Sequence, residues 1–383
     1  MLFRSGGHWQ PFQLNLPNVP VTDIKIHHDD LVLATQGRSF WILDDVSPLR
    51  QLSSQVASSD AYLYQPATAY RVRWNNYTDT PVPQEEPAGD NPPDGAIIDY
   101  YLGANVSGDA KLEILAPGGR VARVYTSRDT SMAPADLGNV PAYWIRPTKV
   151  LSAAPGFHRF VWDLHFTPPA GTSGQPGSYP ISGTPHDTPR EPRGPFAAPG
   201  EYMARLTVGG KSYSQTFTVK MDPRIKLPAT VIAQNHAASL ALYDAIARDS
   251  AIVERATTAR TRLRDARAKA SDASVTSAID ALDASIGAVV GQGGGGGRGG
   301  RGGGGGGGAT PTFRSINGEL MTLFNLIEDA DAEPTTQATA AIRAAQRNFA
   351  ALEARWTKIR TTDLAALNAK LRSAGQPPIT IAP

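Results

Sequence analysis

The sequence predicts a multidomain protein of the β plus α class: a partial β-propeller blade over 1–55, a β-sandwich over 56–222, and an antiparallel helical bundle over 223–383. Three observations carry this. Alternating apolar and polar residues mark short strands as far as Asp222, Pro and Gly punctuate them at turn spacing, and beyond Pro223 the apolar period lengthens from two to that of a helix.

In the first segment Ile24 and Ile26 share one side of a strand, His27, His28, Asp29 and Asp30 turn, and Leu31, Val32, Leu33, Ala34 and Thr35 return. Phe40, Trp41, Ile42 and Leu43 follow the turn at Gly37 as a third strand. Three short strands make most of one four-stranded blade, and a propeller needs about four to eight blades to close. The segment is therefore expected to lack neighbouring blades, to have an exposed edge, and to be cut early by proteases.

The second segment is expected to hold strands at 96–102, 111–115, 121–126, 158–166, 201–208 and 212–219. In the last, Tyr213, Gln215, Phe217 and Val219 share one face, and Ser212, Ser214, Thr216 and Thr218 the other. Pro117, Gly118 and Gly119 supply one hairpin turn, Gly209 and Gly210 another. Two Pro/Gly-rich excursions, 91–95 and 168–199, read as loops, the second long enough that part of it is expected to be mobile and protease-sensitive.

In the third segment Leu242, Ile246 and Val253, flanked by Leu240 and Tyr243, form one helical stripe. Val275, Ile279, Leu282, Ile286 and Val289 form a second, and Ile342, Ala345, Phe349, Leu352, Trp356 and Ile359 a third. Leu320, Leu323, Phe324 and Ile327 make a shorter one, as do Leu364, Leu367 and Leu371. Each must be buried against a partner, which a helical hairpin or four-helix-like bundle achieves. The glycine tract 291–308, carrying Arg298 and Arg301, reads as a flexible linker spanning about 20–25 Å.

Composition narrows the function. Across 383 residues, 41% hydrophobic with a mean hydropathy of −0.27, the 37 Lys and Arg nearly balance 35 Asp and Glu. A net charge of +2 supplies no field for nucleic acid or an anionic membrane. With no cysteine, disulfides, thiolate catalysis and cysteine-bound metals are excluded. No stretch approaches the roughly 20 apolar residues of a membrane helix, and the start from Met1 to Trp9, with neither a basic region followed by an apolar stretch nor a small-residue cleavage motif, reads as carrying no export signal.

The chemistry-bearing runs read as structural. Asp44 and Asp45 are adjacent and face opposite ways, which suits turn residues better than a glycosidase acid pair. His27 to Asp30 lacks recurring metal-ligand spacing. Asp163 and His165 would share a strand face, with His158 on the other, but no nucleophile motif accompanies them, and Trp162 reads as a core anchor. Arg260, Arg262, Arg264, Arg267 and Lys269 read as solvated helix surface, and no glycine loop cradles a phosphate. The sequence thus assigns no catalytic, cofactor-binding or metal-ligating residue, and no cofactor. Two other readings have candidates: a glycosidase pair drawn from Asp90, Asp94, Asp163 and Glu201, and a carbohydrate-binding platform from Trp74, Tyr77, Tyr100, Tyr101, Tyr143 and Trp144.

One resemblance covers nearly the whole chain. Trp9, Gln10, Pro11 and Phe12, then Asn15, Leu16 and Pro17, then the run from Leu31 to Asp45 with Thr35, Gly37, Arg38, Ser39, Phe40 and Trp41, resemble the propeller end of exported bacterial BNR-repeat, sortilin-like proteins, often labelled glycosyl hydrolases. The similarity continues through Val161 to Leu164, Ala198 to Tyr202, Val219 to Arg224 and 364–379, with the glycine tract as an insertion. Ser5, Gly6, Gly7 and Trp9 keep part of the repeat signature Ser-x-Asp-Gly-Gly-x-Thr-Trp and lack its Asp and Thr. The resemblance implies an immunoglobulin/fibronectin-like sandwich, a secreted or periplasmic location, and an accessory, non-catalytic role. The partners it implies are propeller blades upstream of Met1 in a longer protein and a protein or glycan ligand; charge balance and hydropathy add the expectation of no nucleic acid and no membrane insertion.

Overall fold

The computed structural model describes residues 2–3, 8–9, 11–74, 79–130, 140–169, 181–190, 192–291 and 310–381. Most of the glycine tract, Ser5 to Gly7, Tyr77 and half of the stretch 172–189 expected to be protease-sensitive lie outside them. The chain divides into two compact units: Met1–His165 with Pro176–Glu191 and Ala197–Arg224, and Phe166–Gln175 with Pro192–Phe196 and Ile225–Pro383. The class is β plus α.

In the first unit β1 (Leu2–Phe3) and β2 (His8–Trp9) form a small pair. Strands β3 (Val21–His27), β4 (Asp30–Thr35) and β5 (Phe40–Leu43) follow as an antiparallel sheet in that order. They lie where the alternation places them. Gly37 and Ser39 take positive φ in the β4–β5 turn, and Asp45 does so after β5. The one-turn helices α1 (Ser47–Arg50) and α2 (Ser54–Ala57) lead into the larger sheets.

Those sheets comprise β6 (Ala61–Leu63), β7 (Ala69–Arg71), β8 (Ala96–Leu102), β9 (Lys111–Leu115), β10 (Val121–Thr126), β11 (Gly156–Trp162), β12 (Gly200–Val208) and β13 (Lys211–Met221). One has the order β10-β9-β12-β13-β7, the other β11-β8-β6. All pairs are antiparallel except β13–β7. The sheets face each other through aromatic rings: Trp162 of β11 meets Tyr202 of β12 at 5.3 Å and Phe217 of β13 at 6.2 Å, and Phe160 meets Tyr125 of β10 at 4.5 Å. Burying one such ring contributes about 1.5–3 kcal/mol. The alternation in β13 is as expected, with Phe217 and Val219 buried and Ser212, Ser214, Thr216 and Thr218 exposed.

β11 ends at Trp162 instead of reaching residue 166. Leu164 takes φ +58°, and the Trp162 indole N–H donates to the His165 carbonyl at 2.9 Å, folding the chain back. Asp163 and His165 therefore do not share a strand face. Gly95 makes this possible from the other side: a Cβ there would lie 1.9 Å from the Trp162 carbonyl oxygen.

The second unit contains α3 (Ala229–Lys269), α4 (Ala273–Val290), α5 (Phe313–Glu328), α6 (Thr336–Lys358) and α7 (Leu364–Ser373), the last two joined by a π-helical turn over Ile359–Asp363. Asp272 caps α4 by accepting from the Ser274 and Val275 N–H groups, and Thr312 forms a capping box with Ser315 on α5. The stripes expected for α4, α5, α6 and α7 are all buried in one core. On α3 Leu242 and Ile246 are buried, Val253 is half-buried, and the stripe runs on through Ile252, Ala256, Ala259 and Leu263. Arg260 pairs with Asp283 and Arg267 with Asp280, so numbers rise along α3 as they fall along α4, and the two helices are antiparallel. By length and composition alone α4 is long and apolar enough to cross a membrane, but its apolar stripe is buried in this core.

Candidate functional site

The runs singled out in the sequence are mostly held in local bonds. The Asp45 carboxylate accepts from Ser47 N–H at 2.9 Å, and its own N–H donates to Asp30 at 2.9 Å. Asp29 pairs with Arg50. His165 Nδ1 lies 2.7 Å from the Asp163 carbonyl, and His158 Nε2 lies 2.6 Å from the Ala154 carbonyl. Among the described residues no group of three or more His, Asp or Glu is placed to hold a metal. In the basic run Arg260 and Arg267 serve the α3–α4 contact, and Arg260 holds the Asp283 carboxyl below its ordinary pKa.

Of the four candidate carboxylates, Asp90 and Glu201 are exposed. The Asp163 carboxylate accepts from His165 N–H at 3.2 Å. Asp94 belongs to a bracket that the sequence did not reveal. Arg146 donates from one guanidinium nitrogen to Asp94 at 2.9 Å and from another to Asp187 at 2.8 Å. Burial works against the Arg146 charge, but the two carboxylates outweigh it and raise the guanidinium pKa. The Trp74 indole donates to the other Asp94 oxygen at 2.8 Å, and Asn91 and Ser182 donate to Asp187 at 2.7 and 3.2 Å. With one guanidinium bridging both carboxylates, the cluster ties three loops together. Its polar groups are spent on one another.

The aromatic candidates separate by burial. Tyr100 is buried, with its hydroxyl donating to the Ser152 carbonyl at 2.7 Å; Tyr101, Tyr143 and Trp144 are half-buried; and Trp74 is 42% exposed.

The most distinctive surface is the β3–β5 sheet. Residues opposite each other across an antiparallel ladder point to the same side. Ile24, Leu33 and Trp41 therefore share a face with Ile26, Leu31 and Leu43, while Phe40 and Ala34, with Ile42 and Val32, occupy the other. Both faces carry exposed apolar side chains, although Asp23 and Lys25 of β3 share the second: among the described residues Ile24 is 59% and Ile26 69% exposed on one, Phe40 71% and Ile42 57% on the other. A monomeric surface rarely displays this much apolar sheet. The sheet is nonetheless firmly mounted. Arg159 of β11 donates to the carbonyls of Asp44 and Asp45 and makes two bonds to Asp99 of β8, at 2.9 and 2.8 Å. Burial raises the Asp99 pKa, and Arg159 offsets part of that. No family model, curated protein or solved structure matches the chain.

Proposed function

We propose that the chain is a non-catalytic accessory region of an exported BNR-repeat, sortilin-like propeller protein, and that it supports and positions the propeller. The observation that carries the reading is the β3–β5 sheet, which leaves apolar side chains exposed on both faces, Ile24 and Ile26 on one and Phe40 and Ile42 on the other. A blade within a propeller is flanked by a blade on each side, so both its faces need to be apolar; a sheet that closes an isolated domain needs only one. In this reading the two facing sheets of the first unit are the immunoglobulin/fibronectin-like sandwich, the helices are an accessory bundle, and Arg159 fixes the last blade to the sandwich.

Because the chain has no cysteine, single-cysteine probes report cleanly. Ile24→Cys and Ile42→Cys are expected to react rapidly with a soluble maleimide in this chain, and at least about tenfold more slowly when it is expressed with the in-frame coding sequence preceding Met1. Equal reactivity in both forms, or a stop codon immediately before Met1, defeats the reading. So does turnover of glycosides or peptides by this chain that a single carboxylate change, such as Asp163→Asn, abolishes.

A further inference from the structure

The outer face of the β11-β8-β6 sheet carries a row of aromatic side chains. Tyr62 of β6 lies opposite Tyr101 of β8, which lies opposite Phe157 of β11, so the three share one face. Phe160 and Trp162, which meet the other large sheet, occupy the alternate positions of β11 and point the opposite way. Beyond β6 the Tyr64 ring comes back onto the row, 5.0 Å from Tyr62 and 5.7 Å from Phe157. Phe157 is 50% exposed, and Tyr62 and Tyr101 are half-buried.

Two features separate this row from ordinary packed surface. Tyr64 is 2% exposed, yet its hydroxyl makes no hydrogen bond among the described residues, and neither do those of Tyr62 and Tyr101. The Tyr64 ring is enclosed while its hydroxyl keeps a small opening to the outside. Burial, reinforced by Tyr62, Asp99 and Tyr101, holds this phenol above its ordinary pKa, so it stays a donor. A donor held rigidly, unpaired and open on one side is set to meet an acceptor from outside. The second feature is the angle between the rings. Tyr62 and Tyr64 stand at 76° to each other, Tyr64 and Phe157 at 58°. A sugar stacks on rings that lie flat and coplanar, whereas rings at these angles form clefts. The charges on the same face are spent on each other, since Arg159 holds Asp99 at 2.8 Å. The row thus offers apolar clefts and hydroxyl donors in place of charge.

We propose that this aromatic row binds a proline-rich segment of a separate polypeptide in the polyproline II conformation. Two strand spacings set Phe157 and Tyr62 about 9–10 Å apart. One turn of a polyproline II helix, three residues at about 3.1 Å each, is about 9 Å long. Prolines at i and i+3 of a helix lying across the strands therefore rest on the two outer rings. The carbonyls of such a helix have no internal hydrogen bonds, and the Tyr64 and Tyr101 hydroxyls between those rings donate to them. Grooves lined by aromatic rings recognise proline-rich segments in this way, at low entropic cost because the ligand is already extended. The described proline-rich stretch of this chain, 79–93, is not the occupant, because Phe157 stays 50% exposed with that stretch in place. The site lies within the first unit and does not depend on how the β3–β5 sheet is read.

The test is isothermal titration calorimetry of the full chain with decaproline, acetylated and amidated at its ends. Saturable binding with a Kd below about 1 mM is expected, and no binding heat from a capped Gly-Ser peptide of the same length or from cellohexaose. Tyr64→Phe keeps the ring and removes one hydroxyl, and is expected to weaken decaproline binding by about three- to tenfold. Phe157→Ser removes the most exposed ring of the row and is expected to weaken it by about tenfold or more. Tyr70→Ser, which removes an exposed tyrosine of β7 in the other large sheet, leaves the affinity unchanged. Because Tyr64→Phe alters no ring packing, its loss of affinity at an unchanged thermal midpoint separates binding from folding. Absence of saturable binding at about 1 mM peptide, equal binding of the Gly-Ser peptide, binding of cellohexaose in place of decaproline, or an affinity that Tyr64→Phe and Phe157→Ser leave unchanged each overturns the proposal.

Discussion

Replacing Asp249 by Asn isolates the energetic cost of one buried charge. Asp249 sits on α3 at 1% exposure, where Asn317 of α5 donates to one carboxylate oxygen at 2.8 Å. Its other oxygen has no hydrogen-bond partner, and it makes no ion pair among the described residues. Neighbouring Arg248 is turned toward Glu353 and the Phe349 ring of α6. Burial pushes the carboxyl up to about 7, against a weak opposing effect from the Asn317 bond. An unfolded aspartate titrates near 3.9. The folded protein thus holds a proton that the unfolded chain has released. Its stabilising contribution is complete below about pH 4, declines as pH rises toward 7, and is flat above. Three units at about 1.36 kcal/mol each set a ceiling of about 4 kcal/mol. Asn mimics the protonated form at every pH, with a constant offset for its own amide. The stability difference, Asp249→Asn minus parent, is expected to grow by about 2–3 kcal/mol between pH 4.5 and pH 8. Urea unfolding followed by circular dichroism at 222 nm, which reports mainly the helices, measures it as a shift of roughly 1 M in midpoint. Other groups titrate equally in both proteins and cancel. A difference that does not change with pH refutes the reasoning.

Arg159→Met leaves Asp99 buried without its partner and frees the turn after β5; thermal unfolding of the first unit, read by near-ultraviolet circular dichroism, should show a loss of about 3 kcal/mol or more. Gly95→Ala places a methyl 1.9 Å from the Trp162 carbonyl oxygen at φ +138°, so a loss of about 3 kcal/mol is expected in the same assay, and wild-type stability would mean that Gly95 does not seat against β11. Trp162→Ala should cost about 3–5 kcal/mol by urea titration of the same signal, because it opens the contact between the two large sheets.

Much of the fold was legible because the apolar periods are clean. β8 lies between Gly95 and Gly103, β9 and β10 are parted by Pro117, Gly118 and Gly119, and the stripes of α4 to α7 contain apolar residues alone. The failures have local causes. β6 and β7 are three residues each, too short to show a period, and β7 exists because β13 is there to pair with it. The true end of β11 depends on the positive φ of Leu164 and on a carbonyl for the Trp162 indole, neither of which is visible in a run of apolar residues. On α3 the buried positions include Ala256, Ala259, Ser239 and Asp249, which a hydrophobic stripe passes over. Asp187 lies in a Pro/Gly-rich excursion and acquires meaning only through Arg146, 41 residues earlier. The open edge of β5 was readable in principle. Phe40–Leu43 carries no charge while β3, at the opposite edge of the sheet, carries Asp23 and Lys25, so the two outer strands already differ in the sequence, but which backbone groups face outward follows only from the ladder phase.

The parallel pairing of β7 with β13 has a consequence for the order in which the protein comes into being. Ala69 finds its partner in Val219, 150 residues further along. At about 5–20 residues per second, β7 leaves the ribosome roughly 8–30 s before that partner is made. During that wait Tyr70 and its neighbours are unpaired, while β6 and β8 can already join. The first unit therefore has no final edge until β13 emerges, and any pause in translation before Lys211 prolongs the interval in which β7 is available to a chaperone or to another nascent chain.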